Sequence, residues 1–142
     1  MKTQTAQLIT NIFLLPSLWI SGTFPSKKNS KRIVLGRGRK PTLLSSKDYV
    51  AWEKQAVLEF KVGWDNKTIL KCKSINYQFS FPDKRVRDLS NAVEGINDAL
   101  VLAGVLRDDN WKVTGDMILK PSLAGVPSEV GCHITFEVLE YE

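Results

Sequence analysis

The sequence predicts an α+β fold, a single domain in which two main helices pack on one mixed sheet of about four strands. The first observation is periodicity, because apolar residues switch between strand and helix spacing along the chain in the order β-α-β-α-β-β. The second is size, because 142 residues that are 43% hydrophobic and 25% charged suffice for one buried core. We therefore expect an N-terminal extension over residues 1–17 and one domain over residues 18–142.

The first half of this domain is predicted to contain a strand, a basic segment and a helix. Leu18–Thr23 is the predicted strand, and the segment FPSKKNSKRIVLGRGRKP after it is a loop or ribbon in which Gly36 and Gly38 permit tight backbone. Ser46–Phe60 begins with a serine start signal and carries apolar residues at helical spacing. We expect an amphipathic helix of about four turns there.

The second half is predicted to contain three strands and the other main helix. Ser74–Phe81 alternates apolar and polar residues, which is the period of a half-buried strand. A helix is expected from about Ser90 to Ala103, with Gly104 as its C-terminal glycine cap. Trp111–Leu119 and Gly131–Glu140 are predicted to be antiparallel strands around a loop.

The net charge of +5 is unevenly distributed along the chain. No Asp or Glu precedes Asp48, although nine Lys and Arg residues do. Such a cluster suits a polyanion, because each cation that meets a phosphate releases a counterion. The predicted DNA-binding residues of this segment are Lys27, Lys28, Lys31, Arg32, Arg37, Arg39 and Lys40. The alternative is a solvated loop with a basic bias.

The cellular compartment is predicted from the apolar start of the chain and from its two cysteines. Leu8–Ile20 loosely imitates a signal peptide, but Asn11 and Pro16 interrupt it and it is too short to span a bilayer. Cys72 and Cys132 lack the C-x-x-C spacing of a zinc or redox site and are expected in the core. We expect a cytoplasmic protein with no membrane partner.

Acidic residues are concentrated in one short stretch of this otherwise basic chain. The seven acids there are Asp83, Asp88, Glu94, Asp98, Asp108, Asp109 and Asp116. Asp88 falls between a strand and a helix, whereas Asp108 and Asp109 follow that helix, so the fold could return them to one edge of the sheet. Three cations of this stretch, also predicted to bind DNA, are Lys84, Arg85 and Arg87. Carboxylates beside phosphate-binding cations are suited to Mg²⁺, which needs few protein ligands.

The alternative without a function is that these acids are ordinary solvent-exposed residues, since Asn91, Glu94 and Asp98 lie along one exposed side of the predicted helix. Other chemistries have less support. His133 is the only histidine and stands in the apolar segment GCHITFEV, so a structural role is expected. No phosphate-binding glycine loop is present, and we expect no small-molecule cofactor.

The stretch FPDKRVRDLSNAVEGINDALVLAGVLRDDNWKV resembles the signature of the RusA family of Holliday junction resolvases. In that family a basic run leads into D-L-D-N, a helix ending in D-A-L, a short turn and an acidic pair. The resemblance covers roughly Leu18 to Val138. It implies a homodimeric endonuclease of DNA recombination and repair, dependent on Mg²⁺ with Mn²⁺ as an alternative ion, which nicks opposed strands of four-way DNA junctions.

The resemblance also implies the site residues. Asp88 matches the first catalytic aspartate and Asp109 the aspartate after the helix, whereas Ser90 replaces a second aspartate and Glu94 stands where the family pattern has a lysine. Residues 90 and 94 are one turn apart and helical side chains lean toward the N-terminus, so Glu94 is expected to return the missing carboxylate. The predicted catalytic residues are Asp88, Glu94, Asp108 and Asp109. The predicted metal ligands are Asp88, Glu94 and Asp109.

Two other functions stay open at this point. Ser90 makes a catalytically weak or inactive protein that binds structured DNA the main alternative to the resolvase. A small basic RNA-binding protein is a weaker alternative, because it would leave the acidic cluster unexplained.

Overall fold

A computed structural model describes residues 12–25, 31–34, 42–45 and 47–142. The strands are β1 (Phe13–Leu14), β2 (Leu18–Ser21), β3 (Lys31–Val34), β4 (Thr42–Ser45), β5 (Ile69–Phe81), β6 (Asp116–Leu123) and β7 (Gly131–Tyr141). The helices are α1 (Lys47–Gly63), α2 (Leu89–Leu102) and α3 (Trp111–Thr114), with a 3-10 turn at Pro127–Glu129. The predicted α+β fold with two main helices is confirmed.

The main sheet is mixed and effectively four strands wide. Its order is β1-β7-β5-β6, and β2 also pairs with β7. Phe13 lies opposite Val138 and Leu18 opposite Ile134, so β1 and β2 together form one interrupted edge. Residues 1–11 of the predicted extension lie outside the described ranges, whereas β1 within residues 12–17 belongs to the sheet.

The two closing strands run antiparallel, as predicted, but they flank β5 and do not pair with each other, and the predicted start of the first strand is wrong. Residues 111–114 are the short helix α3, and the strand begins only at Asp116. β6 pairs in parallel with β5, whereas β7 pairs with the other side of β5 in antiparallel orientation. The connection through α2 explains this arrangement, because parallel neighbours need a long crossover that is usually helical.

The central strand β5 forms the floor of the core. Ile75, Tyr77 and Phe79 are fully buried, as their alternation predicts. The strand starts five residues earlier than predicted, because Ile69 is also buried and its N–H donates to the carbonyl of Val105 at 2.8 Å. Burial of such side chains is the main favourable contribution to the stability of a domain of this size.

The two main helices cover this sheet and cross each other at a glycine. A Cβ added to Gly95 would lie 3.4 Å from Tyr49 and from Trp52, so the two helices approach closely there. Gly104 follows α2 with φ of +80°, the left-handed conformation of a glycine cap, which confirms that prediction. No helix within the described ranges is both long and apolar enough to cross a membrane.

The basic segment and the two cysteines are the remaining features for which the sequence made a prediction. β3 and β4 form a two-stranded antiparallel ribbon within the basic segment, with Lys31 opposite Ser45. Cys72 and Cys132 are free thiols in the core, as predicted, and burial raises the pKa of each to about 12. A thiol with so high a pKa is a poor nucleophile at neutral pH.

Candidate carboxylate site

Asp88 is the N-cap of α2. Its Oδ1 accepts hydrogen bonds from the backbone N–H of Ser90 at 3.1 Å and of Asn91 at 3.4 Å. The Ser90 hydroxyl donates to the same oxygen at 2.6 Å. An aspartate at this position satisfies otherwise unpaired N–H groups and interacts favourably with the helix dipole. The carboxylate is therefore held in one orientation at the start of the helix.

A basic loop with several internal hydrogen bonds, Asp83–Arg87, leads into Asp88. The guanidinium of Arg87 donates to Asp83 Oδ1 at 2.8 Å and to the carbonyls of Asp83 and Arg85, and it lies 4.6 Å from the Phe81 ring centroid. The pKa of Asp83 is lowered, first by the backbone N–H of Arg85 and then by Arg87. Arg87 thus organises the loop, whereas Lys84 and Arg85 are exposed to solvent.

A cavity of about 390 Å³ lies beside Asp88 at the start of α2. Phe24 and Phe81 contribute its apolar wall, and Arg85 and Asn91 its polar lining. The cavity is large enough for part of a nucleotide and combines aromatic with cationic side chains, the two kinds of group that bind nucleic acid.

Asp108 and Asp109 form an unequal pair at the other end of the helix. Asp108 accepts from the backbone N–H of Asp109 at 2.7 Å and from Asn110 Nδ2 at 2.9 Å, which lowers its pKa. The pKa of Asp109 is raised, first by withdrawal of its carboxyl from water, then by the hydrogen bond with Asp108 and by the charges of Asp98 and Asp108. A proton taken up by this pair therefore resides on Asp109.

Asp98 is the carboxylate that the predicted site omitted. Its charge acts on Asp109. The pKa of the Tyr49 phenol is raised first by burial, then by the charge of Glu53 and by that of Asp98. The signal was present in the sequence, since Asp98 follows Glu94 by one turn on the same side of α2. Whether Asp98 lies near Asp109 depends on the path of the chain after Gly104, and no local sequence pattern predicts that path.

The fold separates Asp88 from the acidic pair within one chain. Asp88 follows the end of β5, whereas the N–H of Arg107, next to Asp108, donates to the carbonyl of Ile69 at the start of the same strand. Along α2, ten residues separate Asp88 from Asp98, which is about 15 Å at 1.5 Å per residue. Glu94 lies between these two ends, on the exposed side of the helix.

The predicted DNA-binding residues fall into two groups. Lys27, Lys28, Arg37, Arg39 and Lys40 lie outside the described residues. The backbone of Lys31 and Arg32 belongs to β3. Lys84, Arg85 and Arg87 belong to the loop before Asp88, so cations and the N-terminal carboxylate are adjacent.

The capacity of the site for a metal ion is limited. Among the residues that the structure describes, no group of three or more His, Cys, Asp or Glu side chains is arranged to hold a metal. Mg²⁺ is commonly bound by one or two carboxylates together with waters and substrate phosphates. Asp109, with its raised pKa, and its neighbour Asp98 fit such a partial set of oxygen ligands.

His133 does not take part in this site. It lies in β7 opposite Trp19 and Gln78, with its side chain exposed and its two chain neighbours buried.

No family model matches the chain, and no curated protein matches it.

Proposed function

We propose that this protein is a Mg²⁺-dependent endodeoxyribonuclease that nicks opposed strands of four-way DNA junctions, as RusA-family resolvases do, and that it acts in the cytoplasm as a homodimer. The observation that carries the proposal is the grouping of acids near the end of α2, where the pKa of Asp109 is raised first by withdrawal of its carboxyl from water, then by the hydrogen bond with Asp108 and by the charges of Asp98 and Asp108. A divalent cation relieves this kind of carboxylate repulsion, and the raised pKa marks a functional-site candidate.

The residues that would hold the ion are Asp109 and Asp98, whereas Asp88 lies at the opposite end of α2, next to the cations of the preceding loop. When bound, Mg²⁺ would activate water and offset the charge that develops on the phosphodiester. Asp108 stays anionic because it accepts hydrogen bonds from Asp109 and Asn110. It therefore orients Asp109 and directs any proton of the pair to the Asp109 carboxyl.

The cations on the loop before α2 supply the DNA contact in this proposal. Lys84 and Arg85 are exposed to solvent on a loop that Arg87 and Asp83 hold in shape. A preorganised loop loses little conformational entropy when it meets a phosphate. The basic N-terminal segment adds charge for binding to the DNA backbone.

The outer strand of the sheet offers a surface for a second copy of the chain. β6 pairs only with β5 among the described strands, and it exposes Met117, Ile118 and Leu123. Antiparallel pairing of two β6 strands centred on Ile118 would place Asp116 opposite the partner's Lys120, a favourable cross-strand pair. Cutting two opposed strands needs two sites related by symmetry, which such a dimer supplies.

The decisive experiment is cleavage of a synthetic four-way junction with and without Mg²⁺, compared with a linear duplex of the same sequence. We expect paired nicks in opposed strands of the junction only when the ion is present. Asp65→Asn is the matched control for Asp109→Asn, since Asp65 is an exposed acid paired with Lys67. An intact junction after incubation of well-folded protein with Mg²⁺ or Mn²⁺ would refute nuclease function.

A second function, binding of branched DNA without cleavage, is favoured by one observation. The Asp88 oxygen that accepts three hydrogen bonds from Ser90 and Asn91 is committed to the helix N-terminus. Junction binding in a gel-shift assay, together with absence of nicks in both metals, would identify this function.

A further inference from the structure

Trp111 is an unusually exposed aromatic residue beside the acidic pair. It is 75% exposed and opens α3, whose Val113 and Thr114 are buried on the opposite side. The ammonium of Lys112 lies 5.9 Å from the centroid of its ring. Tryptophan combines a large apolar ring with a polar N–H and is enriched at binding interfaces, so the exposed indole of Trp111 is a candidate contact for a ligand.

Trp111 follows Asp109 by two residues, and hydrogen bonds fix the backbone between them. Asn110 caps α3 by accepting from the backbone N–H of Lys112 at 3.0 Å, and its amide also donates to Asp108. Gly115 closes the helix with φ of +64°, and a Cβ there would collide with the carbonyl oxygens of Cys72 and Lys73. The helix is therefore fixed against β5, two residues after Asp109.

An open cavity of about 620 Å³ lies alongside the tryptophan. Its lining comprises Lys71, Cys72, Trp111, Lys112, Gly115 and Asp116. The two lysines can bind phosphate, and the indole face suits a nucleobase. Asp116 repels a phosphate but accepts hydrogen bonds from a base amino group. The cavity thus pairs cations with an aromatic surface beside the proposed cleavage site.

We infer that Trp111 is a stacking platform for an unpaired nucleobase next to the phosphate that is cut, with Lys112 and Lys71 binding the adjoining backbone. This inference rests on the proposed nuclease function. It adds a substrate preference, because only DNA whose bases open easily near the cut, as at a branch point, can place a base on the indole. A fully paired duplex keeps its bases stacked and gains nothing from this contact.

The test uses the full chain in metal-free buffer and a four-way junction with 2-aminopurine at positions next to the branch. Trp111→Leu keeps apolar volume but removes the aromatic face, and Trp111→Phe keeps a ring. Val62→Ala is the control, since Val62 is 87% exposed at the end of α1, outside the proposed site. We expect the parent, Trp111→Phe and the control to quench 2-aminopurine fluorescence. Trp111→Leu should lose the quenching and bind the junction about tenfold more weakly, with duplex binding unchanged.

Other results would overturn the inference in distinguishable ways. If Trp111→Leu quenches and binds like the parent while the parent cuts junctions, the stacking platform is refuted and the nuclease proposal stands. If Trp111→Leu or Trp111→Ala shifts the sedimentation coefficient to that of a smaller assembly and weakens duplex and junction binding equally, Trp111 is a contact between protein copies. If the parent binds no DNA, both proposals fail together.

Discussion

The hydroxyl of Ser90 donates a 2.6 Å hydrogen bond to Oδ1 of Asp88. Residue 90 therefore supports the Asp88 carboxylate as a neutral donor, at the position where the resemblance to the RusA family leads one to expect a second aspartate. An aspartate at this position would instead place two negative charges at the start of one helix. This departure from the family pattern leads directly to predictions for Asp88 and Glu94.

Asp88→Asn and Asp88→Ala should separate capping from chemistry. Asn caps helices about as well as Asp, so Asp88→Asn should change the free energy of unfolding little, whereas Asp88→Ala should lower it by about 1 kcal/mol. Both variants should lose junction cleavage, because both lack the carboxylate. Urea unfolding and a junction-nicking assay are the two measurements. Normal cutting by Asp88→Asn would remove Asp88 from the proposed site.

Glu94→Gln should reduce cleavage nearly as much as Asp88→Asn while junction binding persists. The physical reason is that Glu94 lies between the two acidic ends of α2 and is proposed to supply the carboxylate that Ser90 lacks. Adding Ser90→Asp to Glu94→Gln should restore part of the activity. Glu140→Gln, at an exposed position of β7, is the matched control. If Glu94→Gln cuts like this control, Glu94 is only a solvated side chain.

Asp109→Asn should stabilise the metal-free protein while abolishing cleavage. The pKa of Asp109 is raised, so the folded chain binds its proton more tightly than the unfolded chain does. The stability of the parent should therefore fall as the pH rises through the window from about pH 4, the ordinary value, up to the raised folded pKa. The Asp109→Asn variant has no carboxyl to titrate at this position, so its stability should not fall over this pH window. Its urea midpoint should therefore exceed that of the parent at neutral pH.

Addition of Mg²⁺ gives an independent readout for Asp109. A ligand that binds only the folded state stabilises it, so Mg²⁺ should raise the thermal midpoint of the parent but not that of Asp109→Asn. Equal midpoint shifts in both proteins would argue against Asp109 as a ligand. Junction binding without metal should be unchanged or tighter in the variant, because one charge that repels the phosphates is gone.

The basic N-terminal segment should bind the DNA backbone through its charge. Replacing Lys27, Lys28, Arg37 and Arg39 by alanine should weaken binding to junctions of any sequence. It should also flatten the salt dependence, by about 0.9 in log–log slope for each phosphate that the protein no longer neutralises. A variant with Lys47, Lys54, Lys61 and Lys67 replaced by alanine removes the same four charges outside the segment and controls for net charge. Equal salt slopes in the parent and the fourfold variant would exclude the segment from the interface.

Much of the local structure followed from the sequence alone. The alternation of Ser74–Phe81 predicted a half-buried strand, and Gly104 predicted the end of α2, because side-chain periodicity and helix capping depend on neighbours within a few residues. The uneven distribution of charge and the buried cysteines were also evident. These properties hold wherever the elements are finally placed.

The tertiary structure decided which elements became neighbours. β6 lies parallel to β5, and the chain after Gly104 returns along β5, so Asp109 meets Asp98 near one end of α2 while Asp88 caps the other. The short helix α3 replaced the start of a predicted strand, because Asn110 caps it and Val113 is buried. Strand pairing and charge proximity depend on contacts between residues far apart in the chain, and these form only when the whole core packs.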